Sequence, residues 1–178
     1  MNETTGDDRR LPPALADVAR TTFPYGDDGG IDFEPYDVFW SAEETTDWLR
    51  HWTGNHTLDG GAYRVFGQDG TGGVAALWCA RPGRPPAEQP VVFMGSEGES
   101  GVVAGNLSDF LWVLADGVGP LESVLYDDHS PWTHPALAEL TALAERHATT
   151  PRRPAAEIIA GARAEFPAFV EDLDALCR

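Results

Sequence analysis

The run Phe66-Gly-Gln-Asp-Gly-Thr-Gly-Gly-Val-Ala-Ala-Leu-Trp-Cys79, then Pro90-Val-Val-Phe-Met-Gly-Ser-Glu-Gly98, then Asn106-Leu-Ser-Asp-Phe-Leu-Trp-Val-Leu-Ala-Asp-Gly117, decides the fold. Asp69-Gly70 with Gly72-Gly73, and Gly95-Ser96-Glu97-Gly98, place glycines where a tight turn needs positive φ, so each marks a hairpin. Residues 62–66 read as a strand. Residues 74–80 are apolar at nearly every position, which predicts a strand covered on both faces or central in its sheet. Pro82, Pro85 and Pro86 make 81–89 a connection, and the sheet resumes over 91–94 and 102–104. Turns this short imply antiparallel neighbours. The fold class predicted is α+β, an antiparallel sheet of about four to six strands covered by helices. Its core spans 62–120 of a single domain over 9–178.

A helix follows directly. Asn106 is a strong N-cap, Asp109 places a carboxylate in the positive first turn, and Gly117 terminates. Leu107, Phe110, Leu111 and Leu114 share the face expected to lie on the sheet. Trp112 falls on the opposite side between Asp109 and Asp116. Either the C-terminal segments cover it, or it is an exposed binding anchor flanked by acids.

Working outward, residues 1–8 read as a disordered acidic tail and 11–20 as a short helix with prolines in its first turn. Residues 27–30 read as a loop and 31–39 as extended. Asp27, Asp28, Asp32 and Glu34 lack the alternating spacing of a calcium loop and read as solvated. Ser41-Ala-Glu-Glu44 is a capping box opening a helix to about Trp52, with Gly54 ending it. Thr45, Trp48, Leu49 and Trp52 share its core face, opposite Glu43, Asp47, Arg50 and His51. Beyond Pro120 a loop carries Asp127-Asp128-His129 and His134, read as an ordinary loop and not a metal site. Two C-terminal helices, about 134–148 and 155–177, complete the chain. The second keeps its apolar arc across Pro167 and is predicted to be one kinked helix.

The 178 residues carry a net charge of −17, and arginine is the only strong cation because lysine is absent. Such a surface repels nucleic acid and anionic membrane; either its complement is a basic protein, or the acidity only keeps the protein soluble. The absence of lysine also suits a GC-rich bacterial genome. No run approaches the length of a membrane span, and residues 1–10 lack a signal-peptide core, so a cytoplasmic location is expected. Cys79, expected to be buried in its strand, and Cys177 have no CxxC neighbour, which disfavours a disulfide. Gly95-Ser96-Glu97-Gly98 is not a nucleophile elbow, and the glycines around Thr71 lack the lysine of a phosphate loop. Asp69, Glu97 and Glu99 can be paired on paper for acid-base work, but hairpin tips carry acids for solubility alone. No catalytic residue, cofactor or metal site is expected.

The three quoted runs together resemble bacterial members of the SUKH superfamily, the Smi/Knr-like proteins. The resemblance implies an antiparallel sheet covered by helices, used as a protein-binding scaffold without catalytic residues. It implies an immunity protein that neutralises a toxin domain, often a nuclease, of a polymorphic toxin system. Fungal relatives are associated instead with regulation of cell-wall synthesis, which keeps open a regulatory or scaffolding role toward a cellular enzyme or peptide. Partner-binding candidates are Asp109, Trp112, Asp116 and the hairpin acids Asp69, Glu97 and Glu99. On that reading, exchanging Asp109 and Asp116 for asparagine slows association and leaves folding nearly intact.

Overall fold

The computed structural model describes residues 8–23, 25–26, 29–125 and 137–178. In chain order the elements begin with α1 (Pro13–Val18), a short pair β1 (Tyr25–Gly26) and β2 (Gly29–Gly30), β3 (Glu34–Pro35) and α2 (Ala42–Thr53). Then come β4 (Tyr63–Gln68), β5 (Val74–Trp78), β6 (Val91–Met94) and β7 (Ser100–Ala104). The remainder is helical: α3 (Leu107–Ala115), α4 (Pro120–Leu125), α5 (Ala138–His147), α6 (Ala155–Glu165) and α7 (Phe169–Asp174).

The fold is α+β. Five strands form an antiparallel sheet in the order β3-β4-β5-β6-β7, which puts the uniformly apolar β5 at its centre. Period-two alternation sorts the side chains into two cores. Ala75, Leu77, Val91, Phe93 and Val103 face one apolar cluster with α1, α3, α5 and the start of α6. Val65, Val74, Ala76, Val92, Met94 and Val102 face a second cluster with α2 and α7. A register shift between Val65 and Gly67 marks a bulge in β4. A Cβ on Gly67 would run into the Phe33 ring, so the bulge brings the two chains closer than any other residue allows.

Both sheet edges are protected against further pairing. One is the two-residue β3. The other, β7, is packed against by α4 and α6, and Arg163 on α6 donates to the Ser123 carbonyl at 2.7 Å. Ile158 and Ile159 belong to the first cluster and Ala162 to the second, so α6 carries the chain round the sheet edge from one face to the other.

The local signals for α2 and α3 hold. Ser41 Oγ accepts from the Glu44 amide at 3.1 Å while the Glu44 carboxylate accepts from the Ser41 amide at 2.7 Å, and Gly54 closes α2 at φ 67°. Asn106 Oδ1 accepts from the Asp109 amide at 2.8 Å to open α3. Four expectations are corrected. The loop expected after Pro120 begins with α4, where proline occupies the first helical position and Ser123 Oγ donates back to the Pro120 carbonyl at 2.7 Å. The single kinked helix is two helices, because Phe166, which precedes Pro167, is driven out of helical geometry to φ −123°, ψ 61°. Cys79 is exposed, since β5 ends one residue before it. Gly29 and Gly30, expected within a plain loop over 27–30, form β2 paired with β1, and Asp27 and Asp28 lie outside the described residues. The tail before Asp8, the loop residues Asp127, Asp128, His129 and His134, and the expected start of the fifth helix lie outside the described residues. Among the described residues, no helix is long and apolar enough to cross a membrane.

Glu122 ties α4 to the segment entering β3: its Oε1 accepts from the Asp32 amide at 2.9 Å, while Oε2 is buried with no hydrogen-bond partner among the described residues. Burial raises its pKa above the ordinary glutamate value against the pull of backbone amides, and the nearby Asp32 carboxylate adds to the rise. A raised carboxyl pKa contributes stability below the unfolded pKa that is lost as pH rises through the folded one. The stability of the native chain minus that of Glu122→Gln is therefore expected to grow as pH falls from 8 to 5, whatever constant offset the amide introduces. Urea titrations across that range check it, and a flat difference refutes it.

Candidate functional site

The acid-tryptophan-acid set on α3 is a docking surface for the chain itself. Residues 149–155 lie along it. Ser108 Oγ accepts from the Thr149 and Thr150 amides at 2.8 and 2.9 Å. Asp109, 7 % exposed, accepts from Thr150 Oγ1 at 2.7 Å and from Arg153 at 2.8 Å. The Trp112 indole donates to the Thr150 carbonyl at 3.0 Å, and the Arg152 guanidinium lies 5.7 Å over its ring. Asp116 takes Arg152 at 3.0 Å and the first amide of α6 at 2.9 Å, so it caps that helix from outside. Trp112 is thus covered, as one of the two sequence readings had it. Asp109, Trp112 and Asp116 are occupied internally, which corrects their standing as partner-binding candidates. Of the two Arg-Arg dipeptides in this acidic chain, Arg9-Arg10 and Arg152-Arg153, the second lies in the C-terminal segment and supplies the partners of these acids.

The hairpin acids come together at one end of the sheet, in different roles. Asp69 is 2 % exposed and accepts from the Thr71 and Gly73 amides at 2.9 and 2.8 Å, so it builds its turn and does not face a partner. Asp32 secures the same turn by accepting from the Gly70 amide at 2.9 Å. Thr71 Oγ1 receives the Ser96 hydroxyl at 2.8 Å, tying the first turn to the second. In the second turn, Glu97 is exposed and the half-buried Glu99 carboxylate accepts from the Glu97 amide at 3.3 Å.

Two tryptophans of α2 lie across these joined turns. The Trp48 indole donates to the Gly72 carbonyl at 3.4 Å and the Trp52 indole to the Gly95 carbonyl at 2.7 Å. Their rings stack at 5.7 Å between centroids, 15° from parallel. Thr45, Leu49 and Thr53 are the residues of α2 that reach the core; both tryptophans remain partly exposed at its margin. The helical wheel assigned them to the right face, but the half-exposed edge of that face depends on where the turns end.

Charge is sorted across the molecule. Among the described residues, ion pairs are formed by Arg9, Arg10, Arg20, Arg81, Arg84, Arg146, Arg152 and Arg153. Asp17 alone gathers Arg20, Arg146 and His147, fastening α1 to α5, and the His147 hydrogen bond holds its carboxyl below the usual range. By contrast many exposed carboxylates, among them Glu43, Asp47, Glu97, Glu139, Glu145 and Glu157, and the half-buried Glu99, make no ion pair among the described residues. A cleft of about 660 Å³ opens elsewhere, lined by Pro12, Pro13, Pro85, Leu107, Arg84 and Thr149 among others. Among the described residues no three His, Cys, Asp or Glu side chains converge as metal ligands. In comparisons with known proteins, the chain matches no family model, no curated protein and no solved structure.

Proposed function

We propose that this chain is a non-catalytic protein-binding module of the SUKH immunity type, acting in the cytoplasm, whose partner is a basic toxin domain. The observation that carries the reading is the distribution of charge. Most arginines are neutralised within the fold, whereas many exposed carboxylates, Glu97 at the turn end of the sheet among them, make no ion pair among the described residues. A nuclease must hold a polyanion, so its cleft is basic, and an acidic binder can fill or shield it. The same charges disfavour nucleic acid as the partner.

A second reading has one observation in its favour. The proline-lined cleft beside α1 and α3 has the volume of a ligand or peptide groove, which suits a regulatory protein that binds a cellular enzyme or peptide. Salt separates the two readings, since exposed charge pairs are screened within about 8 to 10 Å at physiological ionic strength and apolar grooves are not. The test is affinity capture of the tagged chain from its own cells at low salt, with a high-salt wash in parallel. Recovery of one basic, toxin-like polypeptide that is lost in the wash is expected. A cell-wall or metabolic enzyme that survives the wash would replace this reading by the second.

A further inference from the structure

We propose that the turn end of the sheet, where Trp48 and Trp52 lie across turns 69–73 and 95–99, is the surface on which the basic partner docks, and that it grips an arginine-bearing segment. This rests on the reading of the chain as a binder of a basic protein and specifies where and by what chemistry it binds.

The surface is built in advance of any partner. Both indole N–H groups are directed onto turn carbonyls, at Gly72 and Gly95, and the rings are stacked on each other. The turns beneath are joined through Ser96 and Thr71 and braced by the buried Asp69 and by Asp32. What remains for a partner is partly exposed indole surface with its polar edge already satisfied. A rigid aromatic anchor of this kind loses little freedom on binding, and tryptophan is enriched among residues that dominate interface energies.

The rim sets the charge of the occupant. Glu97 and Glu99 belong to the turn that receives Trp52, and Asp47, exposed on the outer face of α2, adds to the negative field around it. All three lack ion pairs among the described residues. The nearest cation on α2, Arg50, donates its Nε to the Leu58 carbonyl at 2.7 Å. A planar guanidinium can stack on an indole face while its N–H fork takes a carboxylate, which an ammonium cannot do. The molecule contains that arrangement once already, on α3. There Arg152 lies 5.7 Å over the Trp112 ring and pairs with Asp116 at 3.0 Å. At the turn end two tryptophans again lie beside acidic residues, the turn carrying Glu97 and Glu99, and among the described residues no arginine forms an ion pair with those carboxylates.

The proposal is tested with two probes of equal charge, a hexa-arginine and a hexa-lysine peptide, titrated at low salt against the full chain while tryptophan emission is followed. Three proteins are compared: the native chain, the triple variant Asp47→Asn, Glu97→Gln, Glu99→Gln, and a control triple Glu139→Gln, Glu145→Gln, Glu157→Gln. The two triples change net charge equally, and the control carboxylates are exposed on α5 and α6. Tighter binding of hexa-arginine is expected in the native chain, with about five- to tenfold weakening in the turn-end triple and less than about twofold in the control. Trp48→Ala, with its fold checked by thermal melting, is expected to abolish the preference for arginine. Equal weakening by both triples, or failure of the native chain to bind hexa-arginine, would overturn the proposal. A basic partner captured from cells whose affinity is unchanged by the turn-end triple would overturn this surface and leave the proposed function standing. Capture of no basic partner would remove the function itself.

Discussion

Replacing Phe110 with alanine is expected to lower the free energy of unfolding by about 3 to 5 kcal/mol. Phe110 is 0 % exposed and lies on the sheet side of α3. Its ring meets Phe66 edge-on at 5.7 Å and Phe33 at 6.4 Å, so it joins the helix to the bulged strand and to the segment entering β3. Truncation removes those contacts and leaves a cavity bounded by two rings that are themselves held by backbone elements, so the site collapses poorly. Phe110→Leu keeps most of the volume and is expected to cost about 1.5 kcal/mol or less. Denaturant titration of the two variants measures both. A loss near zero for the alanine variant would mean that α3 does not present this face to the sheet.

Asp109→Asn is expected to destabilise the chain by about 2 to 3 kcal/mol. The surface-site reading required the opposite, a slower association with folding nearly intact. The carboxylate accepts from Thr150 Oγ1 and Arg153 on separate oxygens, and Asn106 Nδ2 adds a third bond at 3.3 Å. An amide has only one acceptor oxygen, so one of the strap's donors would face an N–H₂. The figure is kept below that of a fully buried pair because Arg153 is 41 % exposed and screened by water. Asp116→Asn is expected to cost under about 1 kcal/mol, since asparagine can still cap α6 and its pair with Arg152 is half exposed. Hydrogen exchange at residues 149–155 distinguishes the roles: protection should fall in the Asp109 variant well before global unfolding. Unchanged protection and stability in the Asp109 variant would return that residue to the list of surface candidates.

These two results bear on function as well as on stability. With residues 149–155 fixed on α3, the acids there cannot meet a partner without local unfolding. The proposed docking surface is therefore the turn end, where Glu97 and Glu99 remain partner-binding candidates and Trp48 and Trp52 are added to them. Asp69 supports that surface from below, because its buried carboxylate shapes the turn on which Trp48 rests.

Features written in neighbouring residues were legible without coordinates. The capping box of Ser41 and Glu44, the Asn106 cap and the two glycine-bearing turns are contacts across two to four positions, where spacing alone dictates geometry. The uninterrupted apolar runs of β5 and β6 likewise report burial on both faces, because a strand presents successive side chains to opposite sides. The α+β class follows from these local facts. Three features were decided only by tertiary structure. Asp109 meets its arginine 44 positions later, and nothing local distinguishes a carboxylate awaiting a partner outside from one whose partner returns within the chain. Pro167 could bend a helix or end it, and the outcome rested on the geometry that Phe166 adopts before it. Trp48 and Trp52 have the helical spacing of core residues, yet α2 sets them over the ends of two turns. They are half-exposed because the sheet stops beneath them, and a limit of that kind belongs to the assembled fold, not to the residues that meet it.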